Sequence, residues 1–219
     1  MTNTPITSTD TRKISVICIA PASSDSLLTT IKQLFSMKPA NWKISVDLIL
    51  ERPNSSLEQL IVSLGLAINV VPVKSGRKIN HAAKFCAKKV SPDSAGTLWL
   101  DARSALVSDA LARLEAFHRQ YPNAVLVGPF AELKLSASAN SPEFASDADQ
   151  VRILATQSLP KDAAKFDRNL VFIPASVSSE IGQPVGWLND RMQNQSYVRK
   201  ARKAGYRCME LPGKFGELN

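Results

Sequence analysis

The residues best placed to do chemistry lie in Thr97-Leu98-Trp99-Leu100-Asp101-Ala102-Arg103. A short apolar, β-favouring run that ends in a carboxylate sets one charge at the rim of a parallel sheet. Asp101 is therefore the first candidate for a ligand contact; the competing reading makes it the cap of a helix downstream. Arg103 brings a cation within two residues of that acid. A guanidinium grips phosphate oxygens bidentately and needs no metal to do so. A second basic cluster, Lys74-Ser75-Gly76-Arg77-Lys78, stands just ahead of Ile79-Asn80, where a helix is expected to open. Backbone N–H groups and the dipole at a helix start favour anions, so this cluster is a candidate phosphate contact or an ordinary exposed basic loop. It is not a P-loop, because Gly76 lacks the second glycine and the Lys-Ser/Thr ending.

Other chemistries find little support. Cys18, Cys86 and Cys208 are far apart, odd in number and set in apolar segments, which reads as small buried hydrophobes in a reducing, cytoplasmic compartment. His81 and His118 are isolated, no Cys/His spacing fits zinc, and no Ser/His/Asp arrangement is readable. Asp147 and Asp149 form a close acidic pair in an irregular stretch, a weak candidate for an acceptor contact beside the plainer reading of two solvated acids.

The elements that must carry these residues alternate. Lys13–Ala20, Ile44–Leu50, Ile68–Val73, Thr97–Leu100 and Asn123–Val127 are apolar, β-favouring runs. Helical stripes separate them: Leu27, Ile31, Leu34 and Phe35; then Ser56–Leu64; then Ile79, Ala83, Cys86 and Val90; then Val107, Ala110, Leu111, Leu114 and Phe117. That alternation predicts right-handed βαβ units and a mostly parallel sheet flanked by helices. The 219 residues, 44% of them hydrophobic, suffice for one α/β domain. Residues 1–12 read as a disordered N-terminal tail, Thr/Ser-rich over Met1–Asp10, and residues 13–219 as the domain. Between Lys134 and Asn169 the pattern fails, and a loop of that length is functional or disordered. Leu170–Pro174 resumes as a strand, Asp190–Ala204 as a helix ended by Gly205, and Tyr206–Leu211 as a last strand. No run of 18 apolar residues predicts a membrane span.

A net charge of +8 favours polyanionic partners. The charge is densest in the late helix, where Arg191, Arg199, Lys200, Arg202 and Lys203 stand against an expected buried face of Leu188, Met192, Val198, Ala201 and Ala204. This basic helix, 191–203, is either a solvated face or a contact for an anionic membrane surface or polyanion, which would make the protein peripheral to the membrane. Aromatic content is 6%, with no basic-aromatic interleaving, so a nucleic-acid reading rests on charge alone.

Taken in order, these segments resemble the inverting glycosyltransferases of family 2 and their single-domain, Rossmann-like GT-A fold. The resemblance spans roughly residues 13–212 and rests on several weak motifs. Ile14–Pro21 is similar to the family's first strand, and Leu48-Ile49-Leu50-Glu51 to its strand ending in a base-contacting acid. Gly76-Arg77-Lys78-Ile79-Asn80 resembles its Gly/Lys/Asn segment, and Leu98–Arg103 the strand carrying its Asp-x-Asp. Ile181-Gly182, Trp187 and Arg202-Lys203-Ala204-Gly205-Tyr206-Arg207 resemble its C-terminal half. The resemblance implies transfer of a sugar from a UDP- or GDP-linked donor to an acceptor hydroxyl. Glu51 would contact the base or ribose, Asp101 the ribose or a Mn or Mg ion, and Lys78, Asn80 and Arg103 the diphosphate. Trp187 would line the substrate site, and residues 134–169 would form an acceptor loop.

The departures are as informative. The family's second metal-site acid falls on Arg103, so the site is metal-independent if the guanidinium replaces the cation, or decayed if Arg103 is merely solvated. Its catalytic acid pair falls on Gln193-Asn194, both amides. An amide accepts no proton at neutral pH, and the nearest carboxylate is Asp190, one turn or about 6 Å earlier on the expected helix. Two readings are open: an active transferase in which Asp190, one turn from Asn194, serves as the base, or a catalytically inactive relative that binds sugar nucleotide, protein or polyanion.

Overall fold

Two-sided burial decides the strands. In a computed structural model, which describes residues 11–20, 25–51, 55–73, 79–102, 104–132, 159–163, 170–184 and 191–218, the apolar runs become β1 (Arg12–Ala20), β2 (Trp42–Leu50), β3 (Ile68–Pro72) and β4 (Ser94–Asp101). These four lie parallel, in the order β3-β2-β1-β4. The sheet continues through β9 (Leu170–Pro174), β6 (Val125–Gly128), β10 (Cys208–Glu210) and β8 (Lys161–Asp162). β9 runs against both β4 and β6, and β8 runs against β10, so six strands share one direction and two oppose it.

Alternate residues feed two cores. Val16, Cys18, Leu48, Leu98, Leu100 and Phe172 pack on one face. They meet α1 (Asp25–Ser36), α2 (Ser55–Ser63) and α4 (Ala110–Gln120) through Leu27, Ile31, Leu34, Ile61, Leu111 and Leu114. Ile17, Ile19, Ile49, Trp99 and Val171 pack on the other. There they meet α3 (Ile79–Lys89), α5 (Ala175–Ile181) and α6 (Arg191–Lys203) through Ala83, Cys86, Val177, Ile181, Tyr197, Val198 and Ala201. Helices on both faces explain why the strands read as near-continuous apolar runs. The three cysteines are buried and free, as expected of small core hydrophobes.

Several expectations need correction. β4 is followed not by a helix but by a tight turn into β5 (Ser104–Leu106), which joins β11 (Gly216–Leu218) and β7 (Phe130–Glu132) in a small second sheet. Asp101 therefore caps no helix; α4 opens nine residues later, at Ala110. The stretch 134–169 contains β8, and the residue expected to end the tail, Arg12, already belongs to β1. Helix α5 was not anticipated. Among the described side chains of α6 the buried ones are Tyr197, Val198 and Ala201, whereas Ala204 lies past the last turn and is exposed; Leu188 and the Met192 side chain lie outside the described set. His118 is buried against Phe172 at 4.8 Å between ring centres. Residues 1–10, with most of the tail, and Asp147 and Asp149 lie outside the described residues.

Candidate functional site

Parallel strands in register end together. Ala20 pairs with Leu50, Leu50 with Pro72, and Ile19 with Asp101, which puts the C-terminal ends of β1 to β4 on one edge. The ladder runs one bond further on each: Glu51 N–H donates to Ala20 O (3.0 Å), Val73 N–H to Leu50 O (2.9 Å) and Ala102 N–H to Ile19 O (2.9 Å). Helices α1 and α3, which cross back from β1 and β3, open at that same edge, so the positive ends of their dipoles point there. In an open α/β sheet this is where ligands bind.

Asp101 lies on the Trp99 side of β4 and is wholly buried. Its charge is felt nearby: burial, and then the negative charge of Asp101, push the Cys18 thiol far above its ordinary range. The turn after it is clamped. Thr30 Oγ1, on α1, is 3.0 Å from Ala102 O and 2.6 Å from Ser104 O, its proton shared between the carbonyls on either side of Arg103. Leu106 N–H donates to Gln33 Oε1 (3.0 Å), and β11 pairs Leu218 with Ser104. Helix α1 and the small sheet thus hold both flanks of position 103. No composition or spacing signal marked Thr30 or Gln33.

The segment that leads to residues 185–190 is tied to the same strand by Gln183. Trp99 Nε1–H donates to Gln183 Oε1 (3.0 Å), and Gln183 Nε2–H donates to Thr97 Oγ1 (2.8 Å). Thr97 and Trp99 are fully buried. The chain leaving α5 at Gly182–Pro184 is pinned to β4 on its way to 185–190. Helix α6 is pinned to the same point: Tyr197 OH donates to Gly182 O (2.9 Å) and Lys200 Nζ to Ile181 O (2.8 Å). Because α6 feeds β10, which runs parallel to β6, its N-terminal turn lies toward the C-terminal edge and its last turn toward the other.

Of the residues singled out from sequence, Glu51 is exposed at the edge, Asn80 is half-buried in the first turn of α3, and Asp101 is buried at the end of β4. The fold brings these three to one edge. Lys78, Arg103, Trp187 and Asp190 lie outside the described residues. Gln193 and Asn194 fall in the first turn of α6, their side chains also outside that set. The basic helix is less free than its sequence implies. Lys200 is committed to Ile181 O, and an Arg202 guanidinium N–H donates to Ala163 O (2.9 Å).

Among the described residues no three of His, Cys, Asp and Glu gather as a metal cage. The lone carboxylate of Asp101 at the end of β4 fits a hard cation such as Mg or Mn, which takes most of its oxygen ligands from water and substrate phosphates. It does not fit a zinc site built from protein side chains alone.

No protein-family model and no curated protein matches the sequence. Solved structures do match in three dimensions. TarS of S. aureus, residues 1–349, superposes with a TM-score of 0.64 at 14% identity, covering 94% of this chain and 60% of that one. GalNAc-T7 with UDP, GalNAc and Mn2+ gives 0.67 at 15%, covering 91% and 42%. The mannosyltransferase PcManGT of Pyrobaculum calidifontis, with GDP-Man and Mn2+, gives 0.64 at 14%, covering 93% and 56%. The fold is GT-A. These neighbours are glycosyltransferases, and this chain spans three fifths or less of their lengths.

Proposed function

We propose that this chain binds a nucleotide-diphosphate sugar, UDP- or GDP-linked, at the C-terminal edge of β1–β4 and transfers the sugar, with inversion, to an acceptor hydroxyl. The observation that carries the reading is the convergence of Glu51, Asn80 and Asp101 on the edge where α1 and α3 open, within a GT-A sheet. Neighbours of this fold were solved with UDP-GlcNAc, with UDP, GalNAc and Mn2+, and with GDP-Man and Mn2+, which supports a nucleotide sugar as ligand.

In this reading Glu51 accepts hydrogen bonds from the base or ribose. Asp101 faces the ribose, or holds a Mn or Mg ion that neutralises charge on the diphosphate when bound. Asn80, Lys78 and Arg103 hold the diphosphate, the last two as cations, with the α3 dipole behind them. Trp187 lines the sugar side. The acceptor oxygen forms its bond to the anomeric carbon as the bond to the diphosphate breaks, and the diphosphate leaves with the electron pair. The acceptor proton passes to Asp190, because Asn194 is an amide and takes none.

One observation favours a second reading, in which the chain is an inactive sugar-nucleotide binding module: the catalytic acid pair of the family resemblance falls on the amides Gln193 and Asn194. Calorimetry with UDP- and GDP-sugars, with and without Mn2+, together with assays of donor hydrolysis and transfer, separates the two. Binding and turnover, with binding lost at least tenfold in Asp101→Asn and turnover alone lost in Asp190→Asn, supports the transferase. Binding without turnover supports the module. Absence of binding under all these conditions sinks both.

A further inference from the structure

Helix α3 carries a surface that the donor site does not use. Its outward residues are His81, Lys84, Phe85, Lys88 and Lys89, and Phe85 keeps 49% of its surface in water. Lys89 Nζ sits 4.0 Å from the centre of the Phe85 ring. A cleft of about 470 Å³ separates Lys84, Phe85 and Lys88 from Val71 and Pro72 of the edge strand and Val73 just past it, and among the described residues no acid lines it. An apolar side chain ringed by cations is matched by one chemistry above others, an apolar phase with an anionic rim.

Two other occupants fit poorly. An added peptide strand needs donors on the outer edge of β3. Val46 N–H donates to Ala67 O and Val73 N–H to Leu50 O, so 67, 69, 71 and 73 face β2 and Ile68, Val70 and Pro72 face outward. The N–H of Ile68 is taken by Leu66 O (2.8 Å), and Pro72 has none, which leaves Val70 as the single outward donor among the described residues. A second copy of the chain would set Lys84, Lys88 and Lys89 against their own counterparts.

We propose that the α3 face beside β3 docks on an anionic lipid bilayer, Phe85 entering the headgroup boundary and Lys84, Lys88 and Lys89 meeting lipid phosphates and carboxylates. The docking helix in this proposal is α3; on the late basic helix Lys200 and Arg202 hold backbone carbonyls, and its exposed Arg199 and Lys203 serve as the comparison. The inference is independent of sugar transfer, and so is its test.

The test is co-sedimentation of the full chain with phosphatidylcholine vesicles, with and without phosphatidylserine. Binding is expected only to the vesicles containing phosphatidylserine, and it weakens with salt. Each lysine contributes about five-fold, so Lys84→Gln/Lys88→Gln/Lys89→Gln lowers partitioning roughly 100-fold. Phe85→Ser lowers it roughly tenfold with the salt dependence kept. Arg199→Gln/Lys203→Gln on α6, also exposed, leaves it unchanged. The proposal is overturned by failure to bind the anionic vesicles at low salt, by parent-like binding of the triple variant, or by an equal loss in the α6 pair. A dimer dispersed by Phe85→Ser likewise overturns it in favour of a protein partner.

Discussion

Replacing Gln183 by methionine keeps its length and removes both of its polar ends. The two bonds at stake run from Trp99 Nε1 to Gln183 Oε1 (3.0 Å) and from Gln183 Nε2 to Thr97 Oγ1 (2.8 Å), and both partners are fully buried. Two neutral hydrogen bonds are worth about 1 kcal/mol each, and removing one partner of a buried donor adds part of its desolvation, so Gln183→Met should cost roughly 3 kcal/mol. For a chain of this size that lowers Tm by roughly 6–12 °C. The decisive comparison is the same substitution in a Trp99→Phe/Thr97→Val background. There no polar partner remains, and replacing both sides of a buried pair by apolar groups is nearly neutral, so its cost should fall below about 1 kcal/mol. Urea unfolding followed by circular dichroism on the four proteins gives a coupling energy of roughly 2 kcal/mol. Costs that add to within about 0.5 kcal/mol would show that the Gln183 bridge carries no stability, and its role as the pin between β4 and residues 182–184 would fall with it.

Thr30→Val removes the hydroxyl that meets the carbonyls on both sides of Arg103; it should cost about 1–3 kcal/mol, and Thr30→Ser should restore most of it in the same melts. It should also weaken donor binding in calorimetry, since position 103 loses its anchor on α1. At Gly96 an added Cβ would meet the Phe172 ring and lie 2.8 Å from Ile173 O, so Gly96→Ala should destabilise by about 2 kcal/mol or more. Burial, and then the charge of Arg12, lower the His118 pKa to about 4, with Glu115 opposing. Between about 4 and 6.5 the unfolded chain binds the proton and the native chain does not. Stability therefore falls as pH drops through that window, by an amount on the order of 3 kcal/mol, and His118→Gln should flatten this part of the pH–stability curve.

The main sheet was legible because its strands are covered on both faces, so that β1, β2 and β4 announce themselves as unbroken apolar runs. The small sheet was not. β5, β7 and β11 are three residues each, too short to show a period, and they exist because of pairings more than eighty residues apart in the chain. Helix α5 hides behind its serines: Ala-Ser-Val-Ser-Ser-Glu-Ile offers only Val177 and Ile181 as a buried stripe. Asp101 could be found from its strand, but its neighbours in sequence misled about the next element, because the turn into β5 is made by Thr30 and β11 and not by local residue types. Gln183 carried no local signal at all, since its partners lie 84 and 86 residues away.

The order of synthesis gives the small sheet one more property. Its middle strand, β11, leaves the ribosome after every other strand of the two sheets, and until it arrives β5 and β7 lack the strand that pairs with both. The eight-stranded core can collapse around Phe172 and Trp99 while the turn beside Asp101 still lacks one of its two supports. The candidate site therefore matures after the main sheet. A chain halted before residue 216 would display a finished core and an unfinished pocket, a form in which folding and ligand competence come apart.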